Sequence, residues 1–246
     1  VSLLGLFTHF YAMESLSYNL IIAATAEEES SGPNGLNSLL KDLPEIDVAI
    51  VGEPTQMQLA IAEKGLVVFD AVVKGTAGHA AHPNNDNPIM KSVDVINWFE
   101  QLKFNRISDV LGPVKLTITQ IEAGSQHNVV PSQVNMVLDV RVNESYSNQE
   151  IAEIVGQAPC EVTPRSLRLQ SSSINKDHPL VIAGVGMGRN TYGSPTLSDQ
   201  SVLNCQSLKL GPGDSTRSHS ADEFIYLHEI EEGIKLYIEL LNRVIV

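Results

Sequence analysis

Two kinds of apolar patterning run along this chain, and they demand two kinds of sheet. "YNLIIAAT", Tyr18 to Thr25, and the run Val48 to Val51 in "DVAIVGEPT" are nearly continuous apolar stretches. Such stretches suit strands buried on both faces, as in a parallel sheet covered by helices. "QVNMVLDVRV", Gln133 to Val142, alternates instead. Val134, Met136, Leu138 and Val140 face one way; Asn135, Val137, Asp139 and Arg141 face the other. Period two is the mark of an antiparallel strand with one face in water. A chain that carries both patterns is expected to be an α/β domain interrupted by an α+β one.

The texture changes after Gly65. "LVVFDAVVKG", a helix-like "NPIMKSVDVINWFEQL", "VKLTITQIEAG", the alternating run and a second helix near 147–157 make a four-element sheet with two helices. The expected division is therefore 1–64 with 165–246 for the α/β domain, and 65–164 for the insertion. The outer domain starts with a helix whose Leu3, Leu6, Phe7 and Phe10 share a face. It ends with a helix whose buried stripe is Ile230, Ile234, Tyr237, Ile238, Leu241 and Ile245. Residues 34–41 read as a further short helix. Before the first helix only Ser2 is available as a cap, and no basic segment or cleavage site marks a signal peptide. The expectation is a chain that begins inside a larger domain.

A length of 246 residues, 43% hydrophobic and 18% charged, allows one large core or two smaller ones. The net charge of −13, from 16 basic and 29 acidic residues, argues against nucleic acid as a partner. It fits carboxylates reserved for cations. Cys160 and Cys205 lie far apart with no CxxC spacing, so neither a disulfide framework nor a cysteine zinc site is expected. That suits a reducing cytoplasm. No apolar run is long enough to span a bilayer.

Candidate chemistry sits in four places: Glu28-Glu29 after the first apolar run, Glu53 in "VGEPT", His79 in "KGTAGHAAHP" and His219 in "GPGDSTRSHSADE". Ligands of doubly wound sheets bind at the carboxyl ends of strands. Zinc takes His nitrogen and carboxylate oxygen where cysteine is absent. Adjacent carboxylates can divide the labour, one ligating the metal and one taking a proton from water. Each signal alone has a plainer explanation: a solvated Glu loop, a turn residue before Pro54, surface histidines. His9, His127, His178 and His228 read as structural or surface residues.

Taken together and in this order, "TAEEESSGPNG", "VGEPT", "KGTAGHAAHP", "HNVVPSQVNMVLDVRV" and "GPGDSTRSHSADE" resemble the zinc amidohydrolases that include acetylornithine deacetylase, succinyl-diaminopimelate desuccinylase and aminoacylase. The resemblance covers essentially the whole chain. It implies a mixed-sheet, zinc-peptidase-like catalytic domain interrupted by a ferredoxin-like α+β lid that forms a homodimer. It implies two zinc ions per subunit, with cobalt as a possible substitute. Glu28 becomes the general base; Glu29 and His219 ligate one zinc and Glu53 the other. Glu27 has no direct role. His79 stabilises the oxyanion in the partner subunit's site, Asn128 supports that site, and Arg141 takes the substrate's α-carboxylate. A pair with Asp139 is the structural alternative for Arg141. The backbone from Thr196 to Asp199 is a further pocket candidate.

The resemblance also places a His-x-Asp segment and a zinc-bridging Asp ahead of the opening helix, and neither is found in these 246 residues. A portion of an amidohydrolase with an incomplete ligand set is therefore expected. The expected substrate is a small N-acyl amino acid, acetylated or succinylated, with acetylornithine or an acylated citrulline of arginine synthesis nearest. Alternatives are a zinc dipeptidase or carboxypeptidase of the same family, a catalytically incomplete dimeric fragment, and an α/β domain whose Glu cluster is solvated surface.

Overall fold

The computed structural model describes residues 1–30 and 32–246. The chain opens with α1 (Ser2–Phe10) and, after an irregular stretch, α2 (Leu36–Leu39), continued by a 3-10 turn. Strands β1 (Val48–Val51) and β2 (Leu59–Glu63) follow. Next come β3 (Gly65–Lys74), β4 (Gly78–His79), α3 (Pro88–Gln101), β5 (Lys115–Ala123), β6 (Val129–Val130), β7 (Gln133–Val142), α4 (Asn148–Val155) and β8 (Glu161–Pro164). The last elements are β9 (Ser172–Ser173), α5 (Pro179–Gly186), β10 (Thr191–Ser194), β11 (Gln206–Lys209) and α6 (Leu227–Ile245). The chain forms two compact units, 1–63 with 172–246, and 64–171.

The outer unit holds a mixed sheet in the order β1-β11-β2-β10, with β9 also paired to β2. β1 runs parallel to β11 and β10 parallel to β2, while β11 and β2 are antiparallel. Leu59, Ala60, Ile61 and Ala62 of β2 are buried, so both faces of this strand are covered. α1 packs on α6: Leu6 and Phe10 are buried, and a Cβ at Gly5 would stand 3.0 Å from Ile234 Cδ1. The terminal helix buries Tyr237, Leu241 and Ile245 of the expected stripe, together with Gly233 and Leu240, while Ile230, Ile234 and Ile238 are half-buried. The Tyr237 hydroxyl donates to the Leu210 carbonyl, tying the helix to the end of β11.

One expected strand is not formed. Tyr18 to Thr25 is irregular, and Tyr18 and Ile21 are 40% and 50% exposed. A strand buried on both faces needs neighbours on its edges and layers above and below it. Among the described residues this segment has no ladder partner. Val48–Val51 is a strand as expected, but half-buried throughout, because it lies at the end of the strand order.

The inner unit has the antiparallel order β5-β7-β3-β8. Its succession β-α-β-β-α-β, with the third long strand between the first and second, is the ferredoxin-like arrangement. β3 and β7 pair over ten consecutive positions, from Gly65↔Val142 to Lys74↔Gln133. One face of this ladder is the core: Val67, Phe69, Ala71 and Val73 meet Val134, Met136, Leu138 and Val140. Val95 and Phe99 of α3 and Ile151 and Val155 of α4 cover it. α3 starts on Asn87, whose side chain accepts from the Ile89 amide, with Pro88 at the first position. α4 starts with a reciprocal capping box between Ser147 and Glu150. The other face carries ion pairs, Arg165 with Asp70 and Arg141 with Asp139. Among the described residues no helix is long and apolar enough to cross a membrane.

Leu138 is fully buried in this core, whereas Thr117 on β5 is exposed. Leu138→Ala should cost about 2–5 kcal/mol in urea unfolding. Thr117→Ala should stay within about 0.5 kcal/mol. Equal unfolding midpoints for the two variants would contradict the assignment of faces.

Candidate metal and catalytic site

The acidic loop is closed by its first glutamate. Glu27 has φ 62, and its carboxylate accepts from the Asn34 amide (3.0 Å) and from Asn34 Nδ2 (3.2 Å). The Gly32 amide donates to the Glu27 carbonyl at 2.9 Å. A Cβ at Gly35 would stand 2.5 Å from the Ala26 carbonyl oxygen, so the two ends of the loop touch. With Glu27 spent on the turn, Glu29 is left exposed and Glu28 half-buried beside it.

Glu53 follows β1 on a loop zipped to the segment after β11. The Thr55 amide donates to the Gly211 carbonyl (3.1 Å), the Gly211 amide donates to Thr55 Oγ1 (3.2 Å), and the Gln56 amide donates to the Gly213 carbonyl (2.8 Å). The contact is close: a Cβ at Gly211 would stand 2.5 Å from the Glu53 carbonyl oxygen. Gln56 and Met57 both have positive φ, 53 and 56, in the turn that returns the chain to β2. Two non-glycine residues in the left-handed region are an energetic cost that tertiary contacts must offset.

These loops crowd negative charge. Burial pushes the Glu53 carboxyl up to about 7, with Glu28, Glu63 and Glu29 adding to the push and Lys209 opposing it. Burial likewise raises Glu28, aided by Asp199 and Glu29 and opposed by Lys209. Asp199 is raised by burial and partly relieved by Thr25, whose hydroxyl donates to it at 3.4 Å. Clustered carboxylates in this state favour a bound cation or proton.

His219 reaches the same place. It has φ 59, its amide donates to Glu223 Oε2 at 3.1 Å, and its Nε2 lies 3.9 Å from Glu29 Oε2. Both side chains are open to solvent, 79% and 82% exposed. The outer unit thus brings Glu29 to His219, and Glu53 into the charge field of Glu28 and Glu29. Oxygen and nitrogen donors of this kind suit zinc. Among the described residues no three His, Cys, Asp or Glu side chains converge as a metal-binding group. The donors fit the metal in kind, in a number below the three or four that zinc takes from protein.

The remaining candidates lie in the inner unit. β4 and β6 form a two-stranded ribbon with His79 opposite Val129, and the Ala80 amide donates to the Asn128 carbonyl at 2.9 Å. His79 and Asn128 are therefore neighbours. The Ala81 amide donates to His79 Nδ1 at 3.1 Å, which leaves the proton of a neutral ring on Nε2. The loop is braced by Asp86, which accepts from the Thr76 hydroxyl (2.8 Å) and pairs with Lys91 (2.8 Å). Arg141 donates from Nε and Nη2 to the two Asp139 carboxylate oxygens, at 2.8 and 3.0 Å. The same-face neighbour thus holds the fork that the resemblance assigns to a substrate carboxylate.

Sequence reading missed Glu63 and Lys209. Their side chains are 0% and 4% exposed and lie 2.9 Å apart. Burial pushes the Glu63 carboxyl up, while Lys209 and Ser198 pull it back. The available signal was a single charge ending each of two short strands, the apolar "LAIAE" and the mixed "QSLK". A buried charge needs a partner.

Residues 61–159 match the peptidase dimerisation domain family. The succinyl-diaminopimelate desuccinylase of Ehrlichia ruminantium (strain Welgevonden) is 24% identical over 88% of this chain and 63% of its own length. A Pyrobaculum aerophilum protein, provisionally assigned as a LysW-lysine/LysW-ornithine hydrolase, is 28% identical over 91% of this chain and 67% of its own. The chain spans less than two thirds of the length of that desuccinylase. Among solved structures, the Bacillus subtilis YXEP protein, described as a dinuclear metal binding peptidase from the M20 family, superposes with TM-score 0.69 at 16% identity. It covers 98% of this chain and 69% of its own. At that identity the match speaks for the fold alone.

The crowding has a consequence for metal-free protein. Glu53 moves from 4.5 to about 7 on folding, so between these values the unfolded chain releases a proton that the folded chain keeps. Rising pH therefore destabilises the fold across that window. Glu53→Gln should raise the melting temperature in chelator at about pH 8 and leave it unchanged near about pH 4. Identical melting at the higher pH would remove Glu53 from the cluster.

Proposed function

We propose that this chain is a member of the M20 metal-dependent peptidases and amidohydrolases and acts in hydrolysis of the amide bond between an acyl group and an amino acid, a reading supported by the dimerisation-domain match and the desuccinylase relative. The observation that carries this reading is the approach of His219 to Glu29, at 3.9 Å, beside the mutually repelling carboxylates Glu28 and Glu53. Among N-acyl substrates, the desuccinylase name of the Ehrlichia relative favours an N-succinyl amino acid. N-acetylornithine or an acylated citrulline of arginine synthesis is the second choice, supported by the ornithine in the name of the Pyrobaculum relative. A dipeptidase or carboxypeptidase would use the same groups on a peptide bond.

Glu29 and His219 would hold one metal ion and Glu53 another, zinc by donor type and cobalt as a substitute. When bound, the metal polarises the amide carbonyl and lowers the pKa of water to about 7. Glu28 is left off the metal. Burial raises its pKa, which strengthens it as a base that takes a proton from attacking water and returns it to the leaving nitrogen. With its proton on Nε2, His79 would donate to the carbonyl oxygen in the partner subunit's site as negative charge builds there. Asn128 supports that ribbon. Arg141 would receive a substrate carboxylate in competition with Asp139 for its Nε–Nη2 edge. The inner unit, by its family, is the homodimer contact.

In the zinc-loaded protein, Glu28→Gln should lower kcat about 10²–10⁴-fold on N-succinyl-diaminopimelate. Zinc content by elemental analysis should stay at the parent level; loss of zinc in this variant would make Glu28 a ligand instead of the base. His79→Ala should lower kcat about 10²–10³-fold with little change in KM. A parental kcat would take His79 out of the reaction. Faster turnover of a dipeptide than of any N-acyl amino acid would favour the peptidase reading.

A further inference from the structure

The outer unit contains a buried ion pair that the reaction above does not use. All three donors of the Lys209 ammonium are taken: by Glu63 Oε2 (2.9 Å), the Thr196 carbonyl (3.0 Å) and Thr196 Oγ1 (3.1 Å). Glu63 also accepts from the Ser198 amide (3.2 Å) and the Ser198 hydroxyl (2.8 Å). Ser198 in turn caps the 3-10 turn Asp199–Val202, accepting from the Gln200 amide at 3.3 Å. The pair thus grips both ends of the short segment 196–198 and fixes where the turn begins. The first residue of that turn is Asp199, half-buried between the fully buried Ser198 and Gln200 and bonded by Thr25 from the acidic loop.

Such a pair is a poor way to gain stability. Taking two charges out of water costs about as much as their attraction returns, and neutral groups of similar shape often serve as well. A location beside the carboxylate cluster gives it a different use. We propose that Lys209 and Glu63 are positioning residues for the metal centre. They lock the 196–199 segment so that Asp199 stands against Thr25, three residues before Glu28. The acidic cluster is then held in its working arrangement before a cation arrives. Supporting groups of this kind, though they never touch the metal, govern its affinity. The proposal rests on the metal-centre reading given under the function, but its geometry does not.

The test compares the parent chain with the double variant Glu63→Gln/Lys209→Met and with Ser198→Ala, which cuts the link to the turn and leaves the ion pair in place. Lys209→Met alone strands a buried carboxylate and is expected to melt early. Amide exchange is read first, in metal-free protein. The Gln200 and Ser201 amides should exchange at least about tenfold faster in both variants, with the centres of β2 and β11 unchanged. Parental protection of the turn in both variants would overturn the proposal, and Ser198→Ala decides alone if the double variant does not fold. Zinc titration by calorimetry is read second. Affinity should fall about 10–100-fold in the variants; parental zinc affinity with a loosened turn would also overturn it. A parent chain that takes up no zinc would count against the metal-centre reading, and the exchange data would still judge the clamp.

Discussion

Repulsion among carboxylates is the constraint around which the outer unit is organised. Half-buried Glu28 feels the charges of Asp199, Glu29 and Glu63, and half-buried Glu53 those of Glu28, Glu63 and Glu29; Lys209 is the cation that reaches Glu28, Glu53 and Glu63. A fold can hold such a group only if the backbone leaves it no retreat. Three devices do this here. Glu27 folds back on Asn34 to set the acidic loop, the Thr55–Gly211 contacts fix Glu53, and the 3-10 turn after Ser198 fixes Asp199. Left-handed residues at Glu27, Gln56, Met57 and His219 mark the same places. Each costs energy that the surrounding contacts must offset.

The inner unit works on the opposite principle. Its ten-pair β3–β7 ladder and apolar face need no special chemistry, and stability there comes from burial of Val, Leu, Phe and Met. That independence lets it carry a ribbon with His79 and Asn128 at one end without strain. The Nδ1 bond from Ala81 does for His79 what packing does for the core. It selects one state out of two, here the tautomer that can donate from Nε2.

Much of this was legible in the sequence, and the boundary of legibility is physical. Alternation in Gln133–Val142 is a local property of a pleated strand, so its buried face was readable from spacing. The caps of α3 and α4 are local too. Tyr18–Thr25 was misread because burial on both faces depends on neighbouring strands, which the segment's own residues do not encode. Donor types at Glu29, Glu53 and His219 were visible; the 3.9 Å between Glu29 and His219 is set by chain pairing far from either. Asp139 was visible as a same-face neighbour of Arg141, but which anion the arginine holds is a competition that spacing does not decide. Lys209 and Glu63 were hidden because each ends a short strand whose partner lies in the other half of the outer unit.

The irregular stretch between α1 and β1 has a practical outcome. Backbone without ladder bonds, half in solvent and rich in bulky apolar side chains, is what an endoprotease cleft accepts. A brief digestion would nick the chain near Tyr18 to Ile22 first. The released N-terminal peptide would not drift away at once. Leu6 and Phe10 are sunk against the terminal helix, and the Ser17 amide is bonded to the Ile245 carbonyl at 2.9 Å. A nicked sample would migrate as one particle under native conditions and as two pieces in denaturant.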